Sequence, residues 1–194
     1  MSLIKSAFTV GSLTMVSRLV GFLRDMFIAS RLGAGMLSDV FLVAFKLPNF
    51  FRHIFAEGAF NASFVPLFSG KLATEGKASA EAFAERVASV LFVSVMAITV
   101  LMQIAMPWVM YVLAPGFGEN PEKFDLAVLL TRITFPYLAF MALVSLLGGV
   151  LNTFGRFAAA AFAPTLLNLC MIAAVVYFSR FTPTPAHSLS IGVT

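Results

Sequence analysis

VASVLFVSVMAITVLMQIAMPWVMYVLAPGFG, residues 87–118, carries no charged side chain, and that one property decides the fold class. A helix that crosses a hydrocarbon core ~30 Å thick needs roughly 20 apolar residues at ~1.5 Å each. This run is longer than that. Residues 133–155 and 157–179 are equally free of charge, so three segments are long enough to span a bilayer. The whole chain agrees with them. Of its 194 residues 60% are hydrophobic and 11% charged, with a mean hydropathy of +0.95, whereas soluble domains carry about 25% charged residues. An all-α, polytopic transmembrane helix bundle is expected.

Working outward from the charge-free runs, helices are expected at approximately 3–30, 38–69, 84–113, 125–152 and 157–180, with the start of a sixth from 186. All but the first contain or adjoin a proline: Pro48, Pro66, Pro107, Pro136, Pro164 and Pro185. Proline removes a backbone donor and crowds the preceding turn, so the second helix is expected to bend at Lys46-Leu-Pro-Asn49. The polar segment 70–86 reads as a loop followed by the surface-lying start of a helix. His187 to Thr194 resembles the opening of a further span, and the chain is expected to be part of a longer protein.

Only basic residues count in assigning sides of a membrane. Lys5, the 70–86 segment and Arg156 fall on one side, while Arg31, Lys123, Arg132 and Arg180 lie at or near the opposite boundary. The bias places the N-terminus in the cytoplasm. Lys5 followed by an apolar run has the outline of a signal peptide, but no small-x-small site closes the run, so the first helix is expected to be retained. Its twelve Leu, Ile, Phe and Val residues between Leu3 and Ile28 favour insertion by roughly 5 kcal/mol in total. Arg18, Arg24 and Asp25 oppose it by roughly 9 kcal/mol if central. That helix needs neighbours or water.

Several function classes fall away. The net charge of +4 is spread along the chain with no basic run, which speaks against a nucleic-acid partner. Cys170 lies in an apolar span, and His53 and His187 have no second ligand at metal spacing, so no disulfide, metal site or cofactor is expected. There is no Ser-His-Asp arrangement, Walker loop or dinucleotide glycine fingerprint, and no nucleophile with an activating base, so an enzyme is not expected. Asn152 and Asn168 read as helix glue or end caps.

The chemistry is concentrated between Ser17 and Pro66. Arg18 and Asp25 are seven apart and share a helix stripe, as do Ser17 and Arg24 on an adjacent one, and Asp39 and Lys46 on the next helix. His53 and Glu57 are four apart, and Arg52 follows the proline bend. Ionisable groups inside a membrane face a bundle interior or a wet cavity and mark pathways or sites. Asp25 and Glu57 also have a structural reading, in which they neutralise arginines in pairs, and Lys5, Arg31 and Arg180 read as snorkelling to headgroups. Arg18, Arg24 and Arg52 outnumber the acids if Asp39 caps its helix or pairs with Lys46. A planar guanidinium that stays charged suits bidentate donation to phosphoryl oxygens, so an anionic or pyrophosphate-bearing substrate is expected.

These motifs carry a family resemblance: Ser17-Arg-x-x-Gly-Phe-x-Arg-Asp25, Asp39-x-Phe-x-Val-Ala-Phe-Lys-Leu-Pro-Asn49, Phe51-Arg-x-Ile-Phe-Ala-Glu-Gly-Ala-Phe60, Phe64-Val-Pro66, Ala114-Pro-Gly-Phe117, Ile133-Thr-Phe-Pro136, Leu151-Asn152 and Ala161-Phe-Ala-Pro-Thr-Leu-Leu-Asn168. Together they resemble the MurJ (MviN) family of lipid II flippases, part of the multidrug, oligosaccharidyl-lipid and polysaccharide exporter superfamily. The resemblance implies two lobes and fourteen helices around a cationic cavity in the bacterial cytoplasmic (inner) membrane, with cytoplasmic termini. It implies that Arg18, Arg24 and Arg52 bind the pyrophosphate of lipid II, the peptidoglycan precursor. Asp25, Asp39, Lys46 and Glu57 would serve gating or charge pairing, and Ser17 and Asn49 would support them. This chain would be the N-terminal lobe, its partners lipid II, membrane lipids and a missing C-terminal lobe, and its mechanism alternating access. A non-transporting membrane scaffold and an ion channel are the alternatives.

Overall fold

In the computed structural model the backbone is described for residues 3–57 and 59–194, and side chains for residues 8–51 and 60–194. Within these residues the elements are α1 (Leu3–Leu32), α2 (Met36–Glu57), α3 (Ala59–Thr74), α4 (Lys77–Leu113), a 3₁₀ turn (Pro115–Glu119), α5 (Pro121–Thr134), α6 (Tyr137–Thr153), α7 (Phe157–Tyr177), a second 3₁₀ turn (Phe178–Arg180) and α8 (Pro185–Val193). No strand occurs among the described residues. Among the described residues three segments are long and apolar enough to cross a membrane: Lys77–Leu113, Pro121–Thr153 and Phe157–Arg180.

Several boundaries differ from the sequence expectation for physical reasons. The helix expected from 84 starts at Lys77, so the supposed loop 70–86 shrinks to the turn at Glu75 and Gly76. Gly76 has φ +87°, a left-handed conformation that costs glycine nothing. The charges that suggested a loop instead form helix-spaced pairs, Lys71 with Glu75 at 2.9 Å and Lys77 with Glu81 at 3.4 Å, and Ala78, Ala80, Ala82 and Ala84 are strong helix formers. The helix expected over 125–152 is two helices, α5 and α6, joined through Phe135 and Pro136. It begins earlier, at Pro121, because the Asn120 side chain accepts the Lys123 backbone N–H at 3.1 Å and caps the first turn. Helix 38–69 is described as α2 and α3 on either side of Gly58, and α2 stays helical through Pro48.

The main core is built chiefly from α2, α4, α5, α6, α7 and α8. Val40, Phe41 and Ala44 of α2 share one buried cluster with Met106 and Met110 of α4, Leu130 of α5, Leu138 of α6, Met171 of α7 and Leu189 of α8. The short α8 is held close, for a Cβ added at Gly192 would collide with Ala174 Cβ and come 3.3 Å from the Cys170 carbonyl. A smaller cluster gathers Phe64, Phe68, Ala80 and Leu146. By contrast α1 leans almost wholly on α7, and Met15, Leu19, Phe22 and Met26 are exposed on it.

Three of the prolines, Pro48, Pro107 and Pro136, are accommodated by the same device. A proline leaves the carbonyl four residues earlier without its helical donor, and in a membrane such a carbonyl must be satisfied by neighbouring protein. Pro48 frees the carbonyl of Ala44, which accepts Thr134 Oγ1 of α5 at 3.1 Å. Pro107 frees that of Gln103, which accepts Arg132 Nε at 2.9 Å. Pro136 frees that of Arg132, which accepts Gln103 Nε2 at 2.8 Å. The last two bonds are reciprocal: each residue's side chain caps the other's carbonyl, locking α4 to α5. Arg132 therefore belongs inside the helix pair, about 16 Å along α5 from Pro121 at ~1.5 Å per residue, with its side chain turned to α4.

Candidate functional site

A cavity of about 380 Å³ lies between α1, α2, α6 and α7. Its polar lining is Arg24, Asn49, Tyr137 and Asn168, set among apolar side chains such as Phe45 and Met141. Arg24 is on α1, Asn49 on α2 just past Pro48, Tyr137 at the start of α6 beyond the Pro136 break, and Asn168 midway along α7. Four helices thus each deliver one polar group to an otherwise apolar chamber.

Arg24 is held firmly. Its Nε and Nη2 donate to Asp25 Oδ1 at 2.9 and 2.7 Å, and its Nη1 donates to Asn168 Oδ1 at 2.7 Å. The Arg24 side chain is 23% exposed and that of Asp25 is 64% exposed. Asn168 Nδ2 in turn donates to the Ser17 backbone carbonyl at 3.1 Å. Gly21 makes room for this contact, since a Cβ there would stand 3.2 Å from Asn168 Nδ2. A guanidinium has five N–H donors, and these three bonds leave one on each terminal nitrogen.

The structure brings Ser17, Arg24, Asp25 and Asn49 to this cavity or its α1 wall. Arg18, Asp39 and Lys46 are not part of the cavity lining. Asp25 bonds its neighbour Arg24 and not Arg18, which is exposed and has no ion-pair partner among the described residues. Asp39 neither caps α2 with its side chain nor pairs with Lys46. Its carboxylate is bound by Lys123 of α5 at 2.7 Å, and that ammonium also sits 4.3 Å from the Phe117 ring centroid. Lys46 is exposed without an ion pair among the described residues. The side chains of Arg52, His53 and Glu57 lie outside the described residues, as does that of Lys5. No cluster of three or more His, Cys, Asp or Glu able to hold a metal occurs among the described residues.

Asn168 and Tyr137 are the cavity residues that sequence reasoning missed. Asn168 carried a signal: a carboxamide in the middle of the charge-free run 157–179 must find hydrogen bonds inside the protein. A second cavity, about 320 Å³, runs between α4 and α6 and is lined by Leu91, Phe92, Val95, Ala142 and Leu146, with Ser89 its one polar side chain. It offers nothing to a charged group.

The geometry is a half-buried guanidinium, aimed by an amide, in a chamber two of whose walls, α6 and α7, belong to segments long and apolar enough to cross a membrane. A family model described as lipid II flippase MurJ matches residues 28–194. The chain belongs to the lipid II flippase MurJ family. Flippases are transporters, so the family is not one of enzymes. The probable lipid II flippase MurJ of Rhizobium tropici is 48% identical over 186 residues, covering 95% of this chain and 35% of that protein. The probable lipid II flippase MurJ of Rickettsia prowazekii is 42% identical over 194 residues, covering 100% of this chain and 38% of that protein. The solved structure of a lipid II flippase MurJ in an inward closed conformation is similar with a TM-score of 0.75 and 27% identity, over 95% of this chain and 39% of that one. This chain therefore spans little more than a third of the length of the relatives it matches. The family model starts beyond Arg24, whereas the alignment with the Rickettsia relative takes in α1 as well.

Proposed function

We propose that this chain is the N-terminal lobe of a lipid II flippase, and that its cavity takes the pyrophosphate headgroup of the lipid-linked peptidoglycan precursor. The observation that carries this reading is the state of Arg24. Asp25 and Asn168 fix the guanidinium and leave an N–H on each terminal nitrogen, the arrangement that donates two bonds to neighbouring phosphoryl oxygens. Arg18, exposed on the same helix and outside the cavity lining, adds positive charge from a distance, and Arg52 on α2 adds it for the same anion, with Asn49 and the Ser17 region in support. Asp25, Asp39, Lys46 and Glu57 serve gating or charge pairing. The polyprenyl tail stays in lipid while a second lobe closes the other side of the chamber, and the two lobes expose it to each leaflet in turn. The protein sits in the bacterial cytoplasmic membrane with its N-terminus in the cytoplasm.

The test is lipid II translocation by the full-length protein in sealed proteoliposomes. Arg24→Ala is expected to abolish translocation while expression and membrane insertion are unchanged. Arg24→Lys, which keeps the charge but loses the fork, should recover only a minor part. Normal translocation by Arg24→Ala would refute the assignment, and loss of insertion instead of transport would point to a scaffold role.

A further inference from the structure

Two tethers hold the Arg24 guanidinium and they pull in different directions. Asp25 is the next residue on α1, and adjacent helical side chains diverge by about 100°. Its carboxylate is also the more exposed partner, so this bond draws the guanidinium along the outer flank of α1. Asn168 comes from α7 and is 7% exposed, and its bond draws the same group into the cavity. Its amide cannot be turned over. Oδ1 faces a cation and Nδ2 faces the Ser17 carbonyl, and the flipped amide would set donor against donor and acceptor against acceptor. Gly21, one turn before Asp25, leaves open the space that the amide fills.

We propose that Asn168 is the positioning residue of this site: by holding Arg24 towards the chamber it sets how tightly a lipid-linked pyrophosphate is bound. The inference rests on the proposed function of the same cavity. Asn168 gives its Oδ1 and one of its two Nδ2 N–H groups to α1, and in this proposal its effect on the ligand runs through Arg24.

The test is a double-mutant cycle on the full-length protein in phosphatidylcholine nanodiscs, with binding of a polyprenyl pyrophosphate as the readout. Asn168→Ala is expected to weaken binding by about tenfold or more, the factor expected for losing one hydrogen bond to a charged group. In an Arg24→Ala background, already weakened, adding Asn168→Ala should change affinity by less than about twofold. A residue that merely glued α1 to α7 would cost the same factor in both backgrounds, and that result, or no loss with Arg24 present, overturns the proposal. Unchanged binding by Arg24→Ala alone would instead overturn the reading of the cavity itself. Gly21→Ala is an independent second probe, since its new methyl displaces the Asn168 amide without burying a polar group. It should show a smaller loss with the same dependence on Arg24, and equal losses with and without Arg24 count against the proposal.

Discussion

Thr134→Val tests whether a neighbour supplies what a proline removes. Thr134 is fully buried, and its hydroxyl lies 3.1 Å from both the Ala44 and the Thr131 carbonyls. The Thr131 carbonyl already accepts the Phe135 backbone N–H at 2.9 Å, so it is satisfied without the hydroxyl. The Ala44 carbonyl is not, because the residue four positions on is Pro48. Valine keeps the shape of threonine and removes the donor, leaving a buried carbonyl unpaired. Interhelical hydrogen bonds in bilayers average about 0.6 kcal/mol and reach about 1.7, and an orphaned buried acceptor belongs at the upper end. A loss of about 1.5 kcal/mol is expected. In a Pro48→Ala background the restored amide can donate to the Ala44 carbonyl, and the same Thr134→Val change should cost less than about 0.5 kcal/mol. Reversible unfolding in mixed micelles would measure all four proteins. Equal costs in the two backgrounds would show that Thr134 does not substitute for the missing amide.

Gly192→Ala puts a methyl against Ala174 at the α7–α8 contact. It is expected to destabilise by about 1–3 kcal/mol, visible as a lowered midpoint in thermal unfolding, and an unchanged midpoint would mean that α8 is not packed as described. Glu75, in the turn before α4, is held below the ordinary glutamate value by hydrogen bonds from Ser79 and then Lys71. A depressed carboxylate stabilises the folded turn above the unfolded value, and this contribution is lost as pH falls through the folded one. Carboxyl NMR should therefore give a Glu75 midpoint below that of a model peptide, and Ser79→Ala should raise it. A Ser79→Ala midpoint equal to the native one would remove Ser79 as the cause.

The spans were legible because they depend on one local property, an uninterrupted apolar run. The start of α4 was misjudged for a local reason too: charges at 71, 75, 77 and 81 looked like a solvated loop, although their spacing of four is also that of helical ion pairs. The break between α5 and α6 was visible as Pro136 but not as two helices, since a proline can be absorbed, as Pro48 is, or can divide a helix. Arg24 stood out as a charge among apolar residues. Its aim did not, because Asn168 lies 144 positions away. The Lys123 partner of Asp39, 84 positions away, was equally invisible to a search along single helices. Periodicity finds faces, but pairings between faces are decided by packing.

The exchange of hydrogen bonds around the prolines bears on where this lobe can flex. Kinked helices are often pictured as joints, yet flexing α2 at Pro48 would tear a bond to α5, and flexing α4 at Pro107 would undo its clasp with Arg132. With α5 as the common keystone, these helices are stitched into a block that resists shearing. α1 has no proline-linked bond of this kind; it rests almost wholly on α7 and is fastened to it through the Arg24 and Ser17 bonds to the single side chain of Asn168. Any large excursion of this lobe should begin at that margin, with the wall that carries the arginine peeling from a body that itself stays stiff.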